Sequence, residues 1–480
     1  MVIALDIGTS SARAAVYDDA GRAVPGRFHQ APYAPTLTRD GGCEHDAQTL
    51  LDATARCLDA ICADRPRLDD VRGVGVATFW HGLLGFDTAH RAVTPLFMWA
   101  DSRSAGEATL LKGALDDDAL HARTGCHLHS VYWPAKLRWL ERARPDDVRR
   151  VVRWGSIGEH LELALFGEAT TSVSLASGTG LLDLERVRWD PEALAAADID
   201  ESRLFRLRDL SEPRRGLRSP WARRWPQLAS VPWFPSIGDG ACSSIGSDCT
   251  DPGRVALNVG TSAALRVVTS DAPPPRGLWR YRLDRRRALL GGATNEGGNL
   301  FAWCRELLRL PDDAALEAAL DAAAPDGHGL TVLPFIAGER APGWRGERRA
   351  LIAGLSLDTR PVDVARAALE AVALRLALIH TLVAPHATPD HAVVASGGAI
   401  GRSRAWTRII ADALGRPVTW SRESEATSRG AALLALETLG VLPDLAAARQ
   451  PLGETFEPDG ARHARYRDAL ERQQRLDERV

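Results

Sequence analysis

Lysine is nearly missing from this 480-residue chain: Lys112 and Lys136 are its only two, and arginine carries the remaining basic charge. That bias reads as genomic composition rather than as function. With 59 basic and 62 acidic residues and a net charge of −3, the chain has no strong field of one sign. Nucleic acid and an anionic membrane are therefore not its expected partners. Its seven cysteines, at 43, 57, 62, 126, 242, 249 and 304, are scattered and form no CxxC pair. Neither a disulfide framework nor a zinc site is expected, and reduced thiols in a cytosolic protein are the simplest reading. No apolar run of membrane-spanning length stands out, and the chain enters a strand at once, without a basic then apolar leader. A cytoplasmic protein is expected. Low-complexity segments are missing too. What remains is ordinary globular composition, 45% hydrophobic and 25% charged, and enough length for two or three domains.

The stretch that organises the chain is Met1 to Arg13, an apolar run that delivers Asp6, Gly8, Thr9 and Ser10 into a tight turn. A second apolar run, Arg13 to Asp18, follows, so the pair predicts a β-hairpin with a polar tip. Such a tip suits a phosphate: Gly8 lets backbone N–H groups approach, the hydroxyls donate, and Asp6 can hold Mg²⁺ directly or through water. Taken alone, the same pattern also describes an ordinary hairpin. It recurs, however, at Val255 to Val268, where Asn258 precedes Gly260, Thr261 and Ser262. Gly8 and Gly260 are 252 positions apart (260 − 8). A repeat on that scale predicts two similar domains, residues 1–235 and 236–480, each offering a phosphate hairpin to a nucleotide in a cleft between them.

Between the hairpins, Glu44 and Asp46 precede a helix-like run to Asp64 and serve either as ligands or as its N-terminal carboxylates. Val71 to Thr78 predicts a buried strand opening into Phe79-Trp80-His81-Gly82. Trp80 and His81 there suit a sugar-binding wall with Gly82 giving room; a hydrogen-bonded core histidine is the alternative. Asp101 and Arg103 suit sugar hydroxyls or a carboxylate, or else a helix cap and a surface arginine. The turn Thr170 to Gly180 is rich in hydroxyls and glycine and suits a cleft lining. In Ile237-Gly238-Asp239-Gly240 a carboxylate stands between two glycines just before the second hairpin, which makes Asp239 the best general-base candidate. Gly291 to Asn299, including Asn295, Glu296 and Gly298, predicts a glycine turn opening a helix, suited to a nucleotide phosphate or a substrate carboxylate. A core helix is expected from Pro361 to about Val383. Gly397, Gly398 and Ala399 follow a strand and leave room for an adenine or ribose. The clusters Arg285–Arg287 and Arg348–Arg349 read as solvated loops.

These residues together resemble the FGGY family of carbohydrate kinases, from Asp6 to about Gly440. One family signature is matched throughout: Ala350-Leu-Ile352-Ala-Gly354-Leu355, then Asp363-Val364, then Ala367-Ala368-Leu369-Glu370. The other is matched mainly in Lys136 to Arg142, with Trp133 where a small residue or proline is usual. The resemblance implies an α/β fold of two actin-like ATPase (ribonuclease H-like) domains, and transfer of the γ-phosphate of ATP to a sugar hydroxyl with Mg²⁺. Asp6, Gly8, Thr9, Ser10 and the nearby Arg13 look like the first phosphate motif, and Gly260, Thr261 and Ser262 like the second. Gly298 looks like the glycine that approaches the nucleotide, and Gly397, Gly398 and Ala399 like the adenosine motif. Asp239 is similar to the family's catalytic base and, with Asp6, a metal-binding carboxylate. Trp80, His81, Gly82, Asp101, Arg103, Asn295 and Glu296 fall where sugar contacts are expected. The C-terminal half looks most like gluconate kinases, with xylulose kinases next. The chain departs from them at Trp80, where methionine is commoner, and at Gly238, where serine is often found.

The leading expectation is a gluconate-type sugar kinase binding a small sugar or aldonate and ATP, with a homodimer among the assemblies allowed. A pentulose (xylulose or ribulose) kinase is the rival enzyme. An actin-like nucleotide-binding regulator is the rival from another class, and Asp239 argues against it because a switch needs no general base. A hexokinase-like repressor would carry a cysteine-rich zinc cluster, which this sequence does not.

Overall fold

The computed structural model describes residues 1–63, 70–270 and 273–480. The helix expected to reach Asp64 runs from Ala47 to Cys62, and Asp64 lies outside the described residues. Asp46 caps that helix, accepting from the N–H groups of Gln48 and Thr49. Of the two readings of Asp46, the cap is the one seen.

Contacts divide the chain into two compact units. The first holds Met1–Asp248, Arg280–Leu289 and Glu425–Arg449, and the second holds Cys249–Trp279, Leu290–Ser424 and Gln450–Val480. The chain first changes unit after Asp248, beyond the 235/236 boundary read from sequence, so Asp239 stands in the first unit. The sheet of the first unit has the order Ile237–Gly238, Val74–Thr78, Val2–Ile7, Ser11–Tyr17, Ala23–Pro32. The first hairpin is antiparallel and sets Asp6 opposite Arg13. Val74–Thr78 lies parallel to Val2–Ile7, and Ile237–Gly238 lies parallel to Val74–Thr78. Both central strands are buried along their whole length, as continuous apolar runs in a parallel setting require. Their carboxyl ends place Asp6, Trp80 and Asp239 at one edge of the sheet, where open α/β sheets bind ligands.

The second unit repeats this plan. Ala263–Thr269 is antiparallel to Arg254–Val259, which is parallel to Ala392–Ser396, itself parallel to Val418–Trp420. Hairpin and parallel neighbours thus recur in the same order, as the paired motifs imply. The helix Pro361–Val383 fits its expected bounds. The stretch Pro361–His386 is long and apolar enough to cross a membrane by length and composition, but most of it is buried inside the protein. Its Glu370 accepts from Arg366 at 2.7 Å and from the Tyr466 hydroxyl at 2.9 Å, and its ring neighbour His328 lies at 3.0 Å. Asp326, close to both, pairs with Arg472 at 2.5 Å. This His/Asp/Glu group already has two guanidinium partners, so its charge is met without a metal. The long gapped signature is therefore scaffold: Gly354 takes a positive φ of 93°, Asp363 accepts from the Arg360 N–H at 2.9 Å, and Glu370 anchors the core.

One helix departs from the sequence reading. Ala426–Thr438 falls within residues 236–480, but it packs in the first unit, against the helix Asp239–Gly246 and the strands Val2–Ile7 and Val74–Thr78. Glycines permit the approach. A Cβ on Gly246 would lie 2.6 Å from the Ala426 carbonyl carbon, and one on Gly430 would lie 2.5 Å from that of Cys242. Backbone cannot yield as a flexible side chain can. Gly430→Ala is expected to destabilise the protein by about 1–3 kcal/mol, the usual cost of overpacking. Urea unfolding measures it, and an unchanged midpoint would show that the two helices can spread. The arginine clusters also differ from expectation, because Arg287 is partly buried between Asp284 and Glu437 at 2.6 and 2.8 Å. Arg348 likewise lies against Asp477.

Candidate active site

In the first unit the turn Gly8–Ser10 is closed by the Gly8 N–H donating to Ser11 O at 3.0 Å. Neighbouring side chains fix it: the Tyr33 hydroxyl donates to Gly8 O at 2.6 Å, His45 Nε2 lies 2.9 Å from Thr9 O, and Trp99 Nε1 donates to Thr9 Oγ1 at 3.3 Å. Asp6 is buried beneath the turn and pairs with Arg13 at 3.0 Å, as their opposite positions in the hairpin dictate. Burial raises the Asp6 pKa to about 7, against the lowering influence of Arg13, and the negative charge of nearby Asp239 raises it further. Asp6 and nearby Asp239 offer carboxylate oxygens whose mutual repulsion a bound cation would relieve. That donor set fits a hard divalent cation such as Mg²⁺.

Asp239 begins the helix Asp239–Gly246 directly after the strand Ile237–Gly238, and its Oδ1 accepts from the Gly240 N–H at 2.7 Å. A carboxylate in the first helical turn meets the positive end of the helix dipole. Next to it stands an aromatic wall. Trp80 Nε1 donates to Ser174 O at 3.0 Å, and His81 Nδ1 lies 2.5 Å from Gly178 O. The turn Thr170–Gly180 therefore seats this wall from behind. The carbonyl partner makes Nδ1 the donor, so in the neutral ring Nε2 is an acceptor. His81 holds a positive φ of 68°, an uncommon conformation for a side-chain-bearing residue that clusters at ligand sites. The Tyr281 ring lies 4.9 Å from Trp80 and 5.5 Å from His81, and its hydroxyl is 2.7 Å from that of Tyr132.

Tyr132, Tyr281 and Lys136 escaped the sequence reading. Lys136 is buried on the helix Trp133–Ala143 and donates to Met98 O at 2.7 Å and His81 O at 3.2 Å. It thus pins the strained His81 turn. A signal existed, since one of only two lysines falls in the second signature, but nothing in the sequence points it at His81. Burial lowers its pKa from 10.5 to about 7, with the charge of Asp101 opposing that shift. Between these values the unfolded chain binds a proton that the folded chain releases, so this group's contribution to stability rises as pH increases from about 7 toward 10. Lys136→Met is expected to flatten that rise, to leave two carbonyls short of a donor at a cost of about 1–3 kcal/mol, and to raise the acceptor KM. Urea unfolding of both proteins at pH 7, 8 and 9 checks the slope. A parallel slope in the variant would remove Lys136 as its source.

Asp101 and Arg103 do not face the wall as free ligands. Arg103 donates to Asp101 and, at 2.5 Å, to Glu44, and its guanidinium lies 4.5 Å from the Trp139 ring. Asp101 also accepts from the Cys43 N–H at 3.1 Å, and Glu44 pairs with Arg144 at 2.9 Å. With 6% of its side chain exposed, Arg103 is an interior ion-pair centre, and Glu44 is its partner. Gly82 packs against Phe79, where a Cβ would lie 2.8 Å from the ring; it makes room for core packing.

The nucleotide residues read from sequence converge within the second unit. The Gly298 N–H donates to Gly260 O at 2.7 Å, the Asn299 N–H to Thr261 O at 3.2 Å, and the Ala399 N–H to Val259 O at 3.1 Å. A Cβ on Gly298 would lie 2.9 Å from both Gly260 O and the Ala399 Cβ. Gly260, Thr261, Ser262, Gly298, Gly397, Gly398 and Ala399 thus meet at three adjoining turns, with Gly398 open to approach. Asn295 and Glu296 serve a neighbouring loop: Asn295 Nδ2 donates to Ala337 O at 2.8 Å, and Glu296 accepts from the Ala337 N–H at 3.1 Å. Burial lifts the Glu296 pKa to about 7.

Two glycine-hydroxyl hairpins, a helix-borne carboxylate and an aromatic wall are the features on which comparison with known proteins bears, and the class it gives is that of carbohydrate-phosphorylating enzymes. The chain belongs to the FGGY family of carbohydrate kinases. Residues 1–246 match the family's N-terminal domain and residues 255–438 its C-terminal domain. It is 26% identical to a gluconokinase of Bacillus subtilis (strain 168) over 470 residues, covering 95% of this chain and 91% of the relative. It is 28% identical to a xylulose kinase of Escherichia coli (strain K12) over 494 residues, covering 99% and 98%. Among solved structures, a gluconate kinase from Lactobacillus acidophilus aligns with a TM-score of 0.91 at 24% identity, over 99% of this chain and 97% of that one. The fold is accordingly the mixed α/β one of FGGY sugar kinases, with actin-like ATPase domains, and the protein is an ATP-dependent carbohydrate kinase.

Proposed function

We propose that the enzyme transfers the γ-phosphate of ATP to a hydroxyl of gluconate or a similar open-chain sugar, with Asp239 as general base. The observation that carries this reading is the Asp239 carboxylate itself, at the start of its helix and beside the Trp80–His81 wall. The sugar lies along that wall, where the rings cover its apolar face and His81 Nε2 accepts from a hydroxyl. Asp239 takes the proton of the attacking hydroxyl, which needs a base within hydrogen-bond reach. The turns at Gly8–Ser10 and Gly260–Ser262 hold phosphate oxygens by N–H and hydroxyl donors, and Arg13 adds positive charge beside Asp6. Positioning and charge neutralisation of this kind supply most of the catalysis in phosphoryl transfer. Asp6 and Asp239 are the residues that would hold Mg²⁺, which when bound neutralises charge on the phosphates. Because ATP is the donor, a cytoplasmic setting belongs to the same reading.

A second reading, a pentulose kinase, is favoured by one observation. Arg103, the guanidinium best placed by sequence to meet an aldonate carboxylate, is already enclosed by Asp101 and Glu44. An uncharged ketose needs no such partner. An ATP-consumption assay over gluconate, xylulose, ribulose, erythritol, glycerol and a no-sugar control decides between them. Strong turnover of gluconate supports the first reading, and turnover of a ketose alone supports the second. Silence across the panel with ATP still bound would sink both.

A further inference from the structure

Trp80 and Gly238 are distant in sequence and interlocked in space. The indole Nε1–H donates to Ser174 O at 3.0 Å, and Ser174 Oγ accepts from the Gly238 N–H at 3.1 Å. One serine therefore ties the ring to the backbone of the strand that ends at Gly238. A Cβ on Gly238 would fall inside the van der Waals envelope of the indole, and one on Gly178 would lie 2.6 Å from Trp80 Cδ1. The ring is thus seated on two bare glycine backbones, is 5% exposed, and has Tyr281 at 4.9 Å. Neither glycine has a positive φ among the conformations that require one. Close approach of the indole is the reason for them.

Gly238 also has a particular neighbour. The strand Ile237–Gly238 passes directly into the helix Asp239–Gly246, with no loop between them to absorb a displacement. The helix cannot slide to compensate, because Gly246 and Gly430 already bring it against the helix Ala426–Thr438 at backbone contact. A shift at Gly238 is therefore passed to Asp239, and a misplacement of about 1 Å is enough to cost roughly 10²-fold in rate.

We infer that Trp80 is a positioning residue for Asp239: the indole, locked onto Gly238, sets where the carboxylate leaves the strand, and the two residues can be exchanged only together. The inference rests on the reading of Asp239 as the general base.

Three variants test it: Gly238→Ala, Trp80→Met and the double variant. Gly238→Ala adds one methyl group against the indole and is expected to lower kcat roughly 10- to 100-fold. The fall in kcat should exceed the rise in acceptor KM, because the shift at Gly238 passes directly to Asp239 while the indole is still held by Ser174. Trp80→Met replaces the rigid ring with a flexible chain that can yield to that methyl group. The double variant should recover most of the lost kcat, so the losses are strongly sub-additive, as expected for residues in contact. Additive losses, or a change confined to KM, would overturn the inference. Urea unfolding of the same set gives a readout that does not depend on kinase activity. Destabilisation by Gly238→Ala that Trp80→Met relieves supports the interlock, and independent effects refute it. Should the unaltered protein phosphorylate no acceptor, the kinase reading fails by that result alone, while the unfolding data still decide whether the two residues are interlocked.

Discussion

Asp239→Asn is expected to lower kcat by roughly 10²–10⁴, the usual contribution of a positioned general base, while ATP affinity stays within about threefold of its original value. The substitution keeps the size and planarity of the group, so the Gly240 N–H retains an acceptor at the start of the helix. What it removes is the capacity to take a proton. The nucleotide turns around Gly260, Gly298 and Ala399 belong to the second unit and are joined by hydrogen bonds among their own backbones. Asp6 also feels the change, because Asp239's charge is one cause of its raised pKa; without it Asp6 ionises more readily. Single-turnover kinetics with the acceptor identified by the substrate panel, together with calorimetric titration of ATP, separate the two effects. Turnover at the original rate would remove Asp239 from the mechanism. A parallel loss of ATP affinity would show that its hold on the metal outweighs its part in proton transfer.

The hairpins were legible in the sequence because their chemistry is local. An apolar run, a glycine turn and a second apolar run fix a hairpin whatever surrounds it, and its repetition announced the duplicated plan. The proposed base, Asp239, was marked in the sequence by its flanking glycines and by its position just before the second hairpin. Contacts made at long range were hidden. The ambiguity at Arg103 resolves through Glu44, 59 positions away, which was itself an unassigned acidic residue. Lys136 reads as one helix residue among many until His81 O is seen to accept from it. The helix Ala426–Thr438 belongs by position to the second half of the chain, and the bare backbones of Gly75, Gly246 and Gly430 let it pack closely in the first unit. Trp80 and Gly238 look in sequence like two separate departures from relatives. In space a large ring occupies the room that the bare backbone of Gly238 leaves, so the two positions constrain each other.

Gly298→Val is expected to weaken ATP binding about 100-fold, which corresponds to about 2.7 kcal/mol, while leaving the aromatic wall unchanged. Gly298 is the node of the nucleotide turns: its N–H donates to Gly260 O at 2.7 Å, and it opens the helix Gly298–Leu307. The first side-chain carbon would lie 2.9 Å from both Gly260 O and the Ala399 Cβ. The branched carbons of valine add to that overlap and have no free rotamer to escape into. The chain can answer only by parting the turn at Gly260–Ser262 from the turn at Gly397–Ala399, and those are the two surfaces proposed to hold the phosphate and the adenosine. The hydrophobic interior contributes little resistance there, because the glycine turns carry few side chains, so global stability should fall less than nucleotide affinity. Calorimetric titration of ATP and ADP beside urea unfolding reads both quantities. If unfolding stability falls while ATP still binds with its original Kd, the crowding is relieved away from the ligand, and the nucleotide does not lie against Gly298.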